Sequence, residues 1–168
     1  MRLQKKLSLF LIALFMTTFS RAQEKPSSSA EVATGKINEA SITIKYGSPS
    51  VRGREIWGGL VPFNAVWRAG ANEATTFETD RDLTIEGSKL PAGKYSFFII
   101  PSATECIIIF NKDSKQWGAY KYKESNDQIR VTVKQKASDS STEKLVYSIG
   151  SNKVALSWEK WNIAFNVE

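Results

Sequence analysis

The chain contains no histidine, and Cys106 is its only cysteine. A serine–histidine or cysteine–histidine nucleophile is therefore excluded, as is any zinc, iron or copper centre that relies on imidazole. A single thiol cannot close an internal disulfide. Cys106 lies in the run Glu105-Cys106-Ile107-Ile108-Ile109-Phe110, which reads as a buried strand, so its role is that of a small core residue. Phosphate-cradling glycine loops and dinucleotide fingerprints are missing too: Gly58-Gly59 is followed by neither lysine nor a helical pattern. Asp80 and Asp82 lack the oxygen-rich loop spacing of calcium sites. No metal and no cofactor is expected. After Phe19 no apolar run approaches the roughly 20 residues that a bilayer span requires.

What is present begins with Arg2, Lys5 and Lys6, the apolar run Leu7 to Phe19, and the small-x-small exit Ser20-Arg21-Ala22. These are the three parts of a secretory signal peptide. Residues 1–22 are expected to be removed, leaving a chain that starts at Gln23. The signal holds four of the 23 basic residues and none of the 17 acids, so the remaining 19 against 17 leave a net charge of +2. So small a charge argues against nucleic acid as a partner, because a nucleic-acid surface needs a concentrated basic face. A periplasmic or secreted location follows, with no membrane span in the mature chain.

Residues 23–34 are polar and read as a flexible lead-in, with the folded domain occupying 35–168. Ile42, Ile44 and Tyr46 alternate with polar residues, the period of a half-buried strand. Tyr95 to Ile100 and Cys106 to Phe110 are continuous apolar runs, too short for helices, and read as paired core strands. Lys136 to Glu143 reads as a polar hairpin loop, and Lys153–Trp158 and Trp161–Val167 as the closing strands. About nine strands joined by short turns, without a long amphipathic helix, point to an all-β fold: one antiparallel β-sandwich or jelly-roll-like domain. The stretch Val51 to Glu73 has no period and reads as a long structured loop with one helical turn, a length that is uncommon without a function.

That loop holds the densest group of chemistry-bearing side chains: Arg52, Arg54, Trp57, Trp67, Arg68, Asn72 and Glu73. Guanidiniums bind carboxylate, phosphate or sulfate through forked, charge-assisted hydrogen bonds. Indole faces stack on sugars or on arginine, and asparagine both donates and accepts. Together they suit an anionic small molecule or a glycan. The same residues also suit a self-satisfied plug in which Glu73 is the inner partner of an arginine and its loss leaves a buried charge. Glycoside hydrolysis needs two carboxyls facing across a cleft, and nothing in the spacing of Glu55, Glu73, Glu78, Asp80 and Asp82 forces such a pair; Glu78 and Asp80 share a solvated face. Trp117, Tyr120 and Tyr122 read as edge and lid packing, with a sugar platform as the alternative.

Three strings carry a likeness: Pro49-Ser50-Val51-Arg52-Gly53-Arg54, Gly58-Gly59-Leu60-Val61-Pro62 and, above all, Trp67-Arg68-Ala69-Gly70-Ala71-Asn72-Glu73. It continues through Leu90 to Tyr95, Ile108 to Lys112, Gln116 to Tyr120 and Leu156 to Glu159. In these the chain resembles the bacterial exported family catalogued as domain of unknown function 2911. The resemblance implies an exported, mostly β domain and no activity, substrate or catalytic residue. The leading reading is a non-catalytic binding or accessory module of the cell envelope working through the Arg52–Glu73 loop. The second is a hydrolase of an envelope polymer with Glu73 as acid/base. The third is a structural subunit docking on another envelope protein.

Overall fold

The computed structural model of the chain describes residues 28–168. The expected signal peptide and the first part of the lead-in lie outside the described residues. Ten strands follow: β1 (Ser29–Ile37), β2 (Ala40–Ser48), β3 (Thr76–Thr79), β4 (Leu83–Ile85), β5 (Ser88–Leu90), β6 (Gly93–Pro101), β7 (Cys106–Asn111), β8 (Asp127–Val133), β9 (Lys136–Ile149) and β10 (Lys153–Asn166). One antiparallel sheet runs β1-β2-β3-β6-β7-β8. A second layer is the long β9–β10 ribbon, extended by the β4–β5 hairpin through an isolated bridge between Ile85 and Val167. The fold is all-β and antiparallel, and it is not a closed barrel.

Alternation assigns the inner face of the large sheet. Ile42, Ile44, Phe77, Phe97, Ile99, Ile108 and Phe110 meet Leu145, Tyr147, Leu156, Trp158 and Phe165 of the ribbon in one core. Phe97 and Phe165 stack with centroids 5.8 Å apart, and Phe110 meets Phe165 edge-on at 6.0 Å. The opposite face of the same strands is apolar as well, which is why β6 and β7 read as unbroken runs. Phe98 and Ile109 are fully buried there with Ala74, and Val66, Ile100, Ile107, Ala119 and Tyr122 pack against them. Two loops, 49–75 and 112–126, supply that cover. The register places Phe98 opposite Ile109 and Ile100 opposite Ile107, so β6 and β7 are the paired strands the sequence suggests. Ile100 and Ile107 are half-buried. Cys106 is buried, its thiol pushed up to about 11 by that burial.

Four sequence expectations need correction. Strand β1 begins at Ser29, not near Gly35, so the second half of the polar lead-in is an edge strand. Only one neighbour and one covered face are asked of it, and Ala33 and Gly35 occupy that face ahead of the buried Ile37. A Cβ at Gly35 would stand 2.7 Å from Ile149 Cγ2, so the ribbon packs directly on this backbone. Lys136 to Glu143 is no hairpin loop but the first half of β9, paired through Thr142 to Glu159 and through Ala137 to Trp161. Its residues are mostly exposed, which removes the apolar signal. Lys153–Trp158 and the segment from Trp161 to Asn166 belong to one strand interrupted by register shifts around Glu159, whose φ of 53° marks the bulge.

The Val51–Glu73 loop contains no helical turn. Arg52, Gly53, Gly58, Asn64, Ala69 and Asn72 all take positive φ, which a helix cannot accommodate. The loop is instead laced to both layers. Leu145 N–H donates to Pro49 O at 2.9 Å and Val51 N–H to Glu143 O at 2.8 Å, fastening its start to β9. Past Ser96 the edge of β6 passes from β3 to the loop: Phe97 N–H donates to Thr75 O at 2.7 Å, while Trp67 and Ile99 exchange hydrogen bonds of 2.8 and 2.9 Å.

Candidate functional site

These fastenings place Arg68 immediately after a residue pinned to β6, and the next turn is pinned again. Ala69 is fully buried with φ 52°, and its carbonyl accepts from Tyr147 Oη at 2.8 Å and Thr75 Oγ1 at 2.9 Å. Ala71 N–H donates to Gly47 O at 3.1 Å. Gly47 and Gly70 are glycines because strand and loop touch backbone to backbone: a Cβ on Gly47 would stand 2.1 Å from Ala71 O, and one on Gly70 2.9 Å from Gly47 O. Asn72, at φ 64°, follows on the surface, where its Nδ2 donates to Ser28 O at 3.5 Å.

Between this turn, the Pro49–Arg54 segment and β10 lies a pocket of about 260 Å³. Arg52, Arg54, Arg68, Asn72, Trp67 and Trp158 line it, with Leu60 among the further lining residues. Five of the seven candidates from the sequence thus meet around one cavity. Trp57 is buried outside it, stacked on Trp161 at 4.4 Å and edge-on to Trp67 at 5.6 Å, so it supports the wall formed by Trp67. Glu73 is exposed and stands outside the lining; its backbone bridges Trp117. The packed-plug expectation for Glu73 therefore fails, because its carboxylate is exposed and among the described residues pairs with no arginine. Glu73→Gln is expected to leave stability within about 0.5 kcal/mol of the parent in urea melts, the range for exposed substitutions without partners.

The pocket is rich in donors. Arg54 donates through Nε to Val51 O at 3.1 Å and through Nη2 to Ser50 O at 2.6 Å, which braces its own turn. Arg68 is half-buried, and among the described residues its side chain makes no hydrogen bond or ion pair; its Nε is fully shielded from solvent. Trp158 is 1% exposed and its indole N–H also lacks an acceptor. Buried donors of this kind are rare because each costs the free energy of its lost hydration. Among the described residues none of those lining the pocket is acidic. The Glu143 carboxylate accepts the Arg52 backbone N–H at 3.0 Å.

Trp158 was hidden in the sequence because its alternating segment marks it only as core; the fold alone brings β10 beneath the loop. The second loop, 112–126, abuts the same turn. Gly118 N–H donates to Asn72 O at 3.2 Å and Ala74 N–H to Gln116 O at 2.9 Å. Buried Asn111 holds both ends of this second loop, donating to Lys123 O at 3.0 Å and to Asp127 Oδ1 at 2.8 Å while accepting from Gln116 Nε2 at 3.2 Å. Tyr122 Oη donates to Asp127 Oδ2 at 2.6 Å, and Arg130 donates to both. Burial first, and then the bond to Asp127, push the Tyr122 hydroxyl up to about 12, so it serves as a fixed donor and not as a base. Of the three aromatics in this region, Tyr122 is lid packing against Phe98, at 5.2 Å.

Fold and site together define a two-layered, antiparallel β module whose long, backbone-fastened loop frames an arginine- and tryptophan-lined surface pocket. The chain matches the family described as "Protein of unknown function (DUF2911)" over residues 27–167, and it belongs to that family. No curated protein and no solved structure matches it. Among the described residues no helix is long and apolar enough to cross a membrane, and no three His, Cys, Asp or Glu side chains cluster as metal ligands would.

Proposed function

We propose that the chain is a non-catalytic binding module, exported to the cell envelope by the signal in residues 1–22, which holds an oxyanion group in the Arg52–Asn72 pocket. The observation that carries this reading is Arg68: a half-buried guanidinium that lines the pocket and has no side-chain partner among the described residues. A carboxylate, sulfate or phosphate supplies acceptors to the guanidinium and a charge to balance it. Hydrolysis by Glu73 finds no support in this arrangement, since Glu73 lies outside the lining and no described lining residue can act as acid or base.

Thermal melts in sulfate, phosphate and acetate, against sodium chloride at matched ionic strength, test the proposal. At one hundred times its Kd a bound anion adds about 2.7 kcal/mol of stability. The parent is expected to be stabilised by at least one of the three, and Arg68→Gln to fold equally well but lose most of that gain. An equal response to chloride, or an undiminished response in Arg68→Gln, would sink the reading.

A further inference from the structure

We infer that the anion is carried on a sugar, and that the exposed rings of Trp117 and Tyr120 form the platform for an acidic saccharide whose charged group enters the arginine pocket. The inference rests on the anion-binding reading above and adds the chemical class of the ligand.

Trp117 is 63% and Tyr120 84% exposed, and among the described residues neither contacts another ring. Large aromatics left in water on a turn are unusual, because burying such a ring is strongly favourable. The turn that carries them is not loose. Its ends are held by Asn111 and by the Tyr122–Asp127–Arg130 cluster, and its middle is bonded to Asn72. It also touches the pocket wall. A Cβ at Gly118 would lie 3.6 Å from Arg68 Nη1 and 3.0 Å from the Tyr120 ring, and the φ of 64° there suits glycine. Arg68 therefore lies against the ring-bearing turn on one side and lines the cavity on the other.

A pyranose has one face made of C–H groups, weakly positive and apolar, which matches the negative face of an aromatic ring. A carboxylate or sulfate on the same sugar, or on its neighbour, then meets Arg68. The loop carries Lys112, Lys115, Lys121 and Lys123, all exposed, against Asp113, Glu124 (paired with Arg130) and the neighbouring Glu73, so the balance stays positive and suits a polyanionic chain passing across it. Two rings flanked by charged side chains make a poor protein interface, which needs about 800 Å² from each partner with an apolar centre.

The test is calorimetric titration with a trigalacturonate, a sulfated disaccharide, a neutral cellooligosaccharide, and free acetate and sulfate. The parent is expected to bind one of the two acidic saccharides at least about tenfold more tightly than its free anion, and to ignore the neutral one. Trp117→Ala and Tyr120→Ala, both solvent-exposed changes, should each weaken the saccharide about tenfold or more and leave the free anion unaffected. Arg68→Gln should weaken both. Equal affinity for saccharide and free anion, or ring variants that bind the saccharide normally, would overturn this inference and leave the anion reading standing. No response to any anion would remove both. Binding to vesicles of anionic phospholipid that disappears in the ring variants, without saccharide binding, would assign the rings to a lipid surface and also overturn the inference.

Discussion

Gly47→Ala is expected to destabilise the protein by about 2–3 kcal/mol in equilibrium urea unfolding, and to abolish anion binding in the molecules that remain folded. Nothing in the strand forbids alanine: Gly47 is in β2, paired with Ala30, and its φ is not positive. The obstacle is the methyl group, which would stand 2.1 Å from Ala71 O and 2.8 Å from Ala71 C. Backbone atoms cannot rotate aside as a side chain does, so the 69–72 turn must lift off β2. Tyr147 and Thr75 hold Ala69 O in place, and lifting the turn strains or breaks those bonds as well. Gly53→Ala is a useful contrast. At φ 67° it has nothing within 4 Å of the added atom, so it costs only backbone strain, about 1 kcal/mol. A Gly47→Ala protein within about 0.5 kcal/mol of the parent would mean that the turn does not rest on the strand.

Ile109→Ala should cost about 2–5 kcal/mol, the range for truncating a fully buried aliphatic side chain. Ile109 is 0% exposed and sits on the outer face of β7, in the small cluster with Phe98 and Ala74. Val66 of the first loop and Ala119 and Tyr122 of the second pack on that cluster. The cavity therefore opens beneath both loops, and the variant should weaken ligand binding as well as stability. Ile108→Ala, directed to the main core, provides the comparison: a similar loss of stability with a smaller effect on binding. A loss below about 0.5 kcal/mol for Ile109→Ala would show that the loops settle without this support.

The two comparisons bear on what the sequence could and could not disclose. Strands with one wet and one dry face were legible, as Ile42, Ile44 and Tyr46 demonstrate, and so were the doubly covered β6 and β7. Edge segments were not. The first half of β9 is almost wholly polar and β1 is mostly exposed, because a strand with one neighbour and little covered surface has few apolar positions to display. The candidate site was legible as composition: arginines, tryptophans and an asparagine crowded into one aperiodic stretch. Its division was not. Whether Glu73 or Arg68 pointed inward depended on positive-φ residues whose identities, Ala69 and Asn72, gave only weak warning. Trp158 came to the pocket because the β9–β10 hairpin packs against the loop that holds Trp67, a long-range contact with no local signature.

Guanidinium groups keep their charge at every pH a folded protein tolerates. The described lining of the pocket adds to them only serine, proline, leucine, valine, tryptophan, glycine, alanine and asparagine, with no carboxylate, imidazole, thiol or amine. Proton linkage on the protein side is therefore nearly silent there. A loss of affinity on acidification belongs to the guest, because a carboxylate beside the pocket, such as that of Glu143, repels an anion, so the midpoint of that loss reads the guest's own ionisation. A fall in affinity near pH 3–4 identifies a carboxylic acid, a step near pH 6 the second ionisation of a phosphate monoester, and a flat line a sulfate ester. The pocket thus acts as an indicator electrode for whatever it holds, and a crude extract fractionated at three pH values would classify the guest before it is purified.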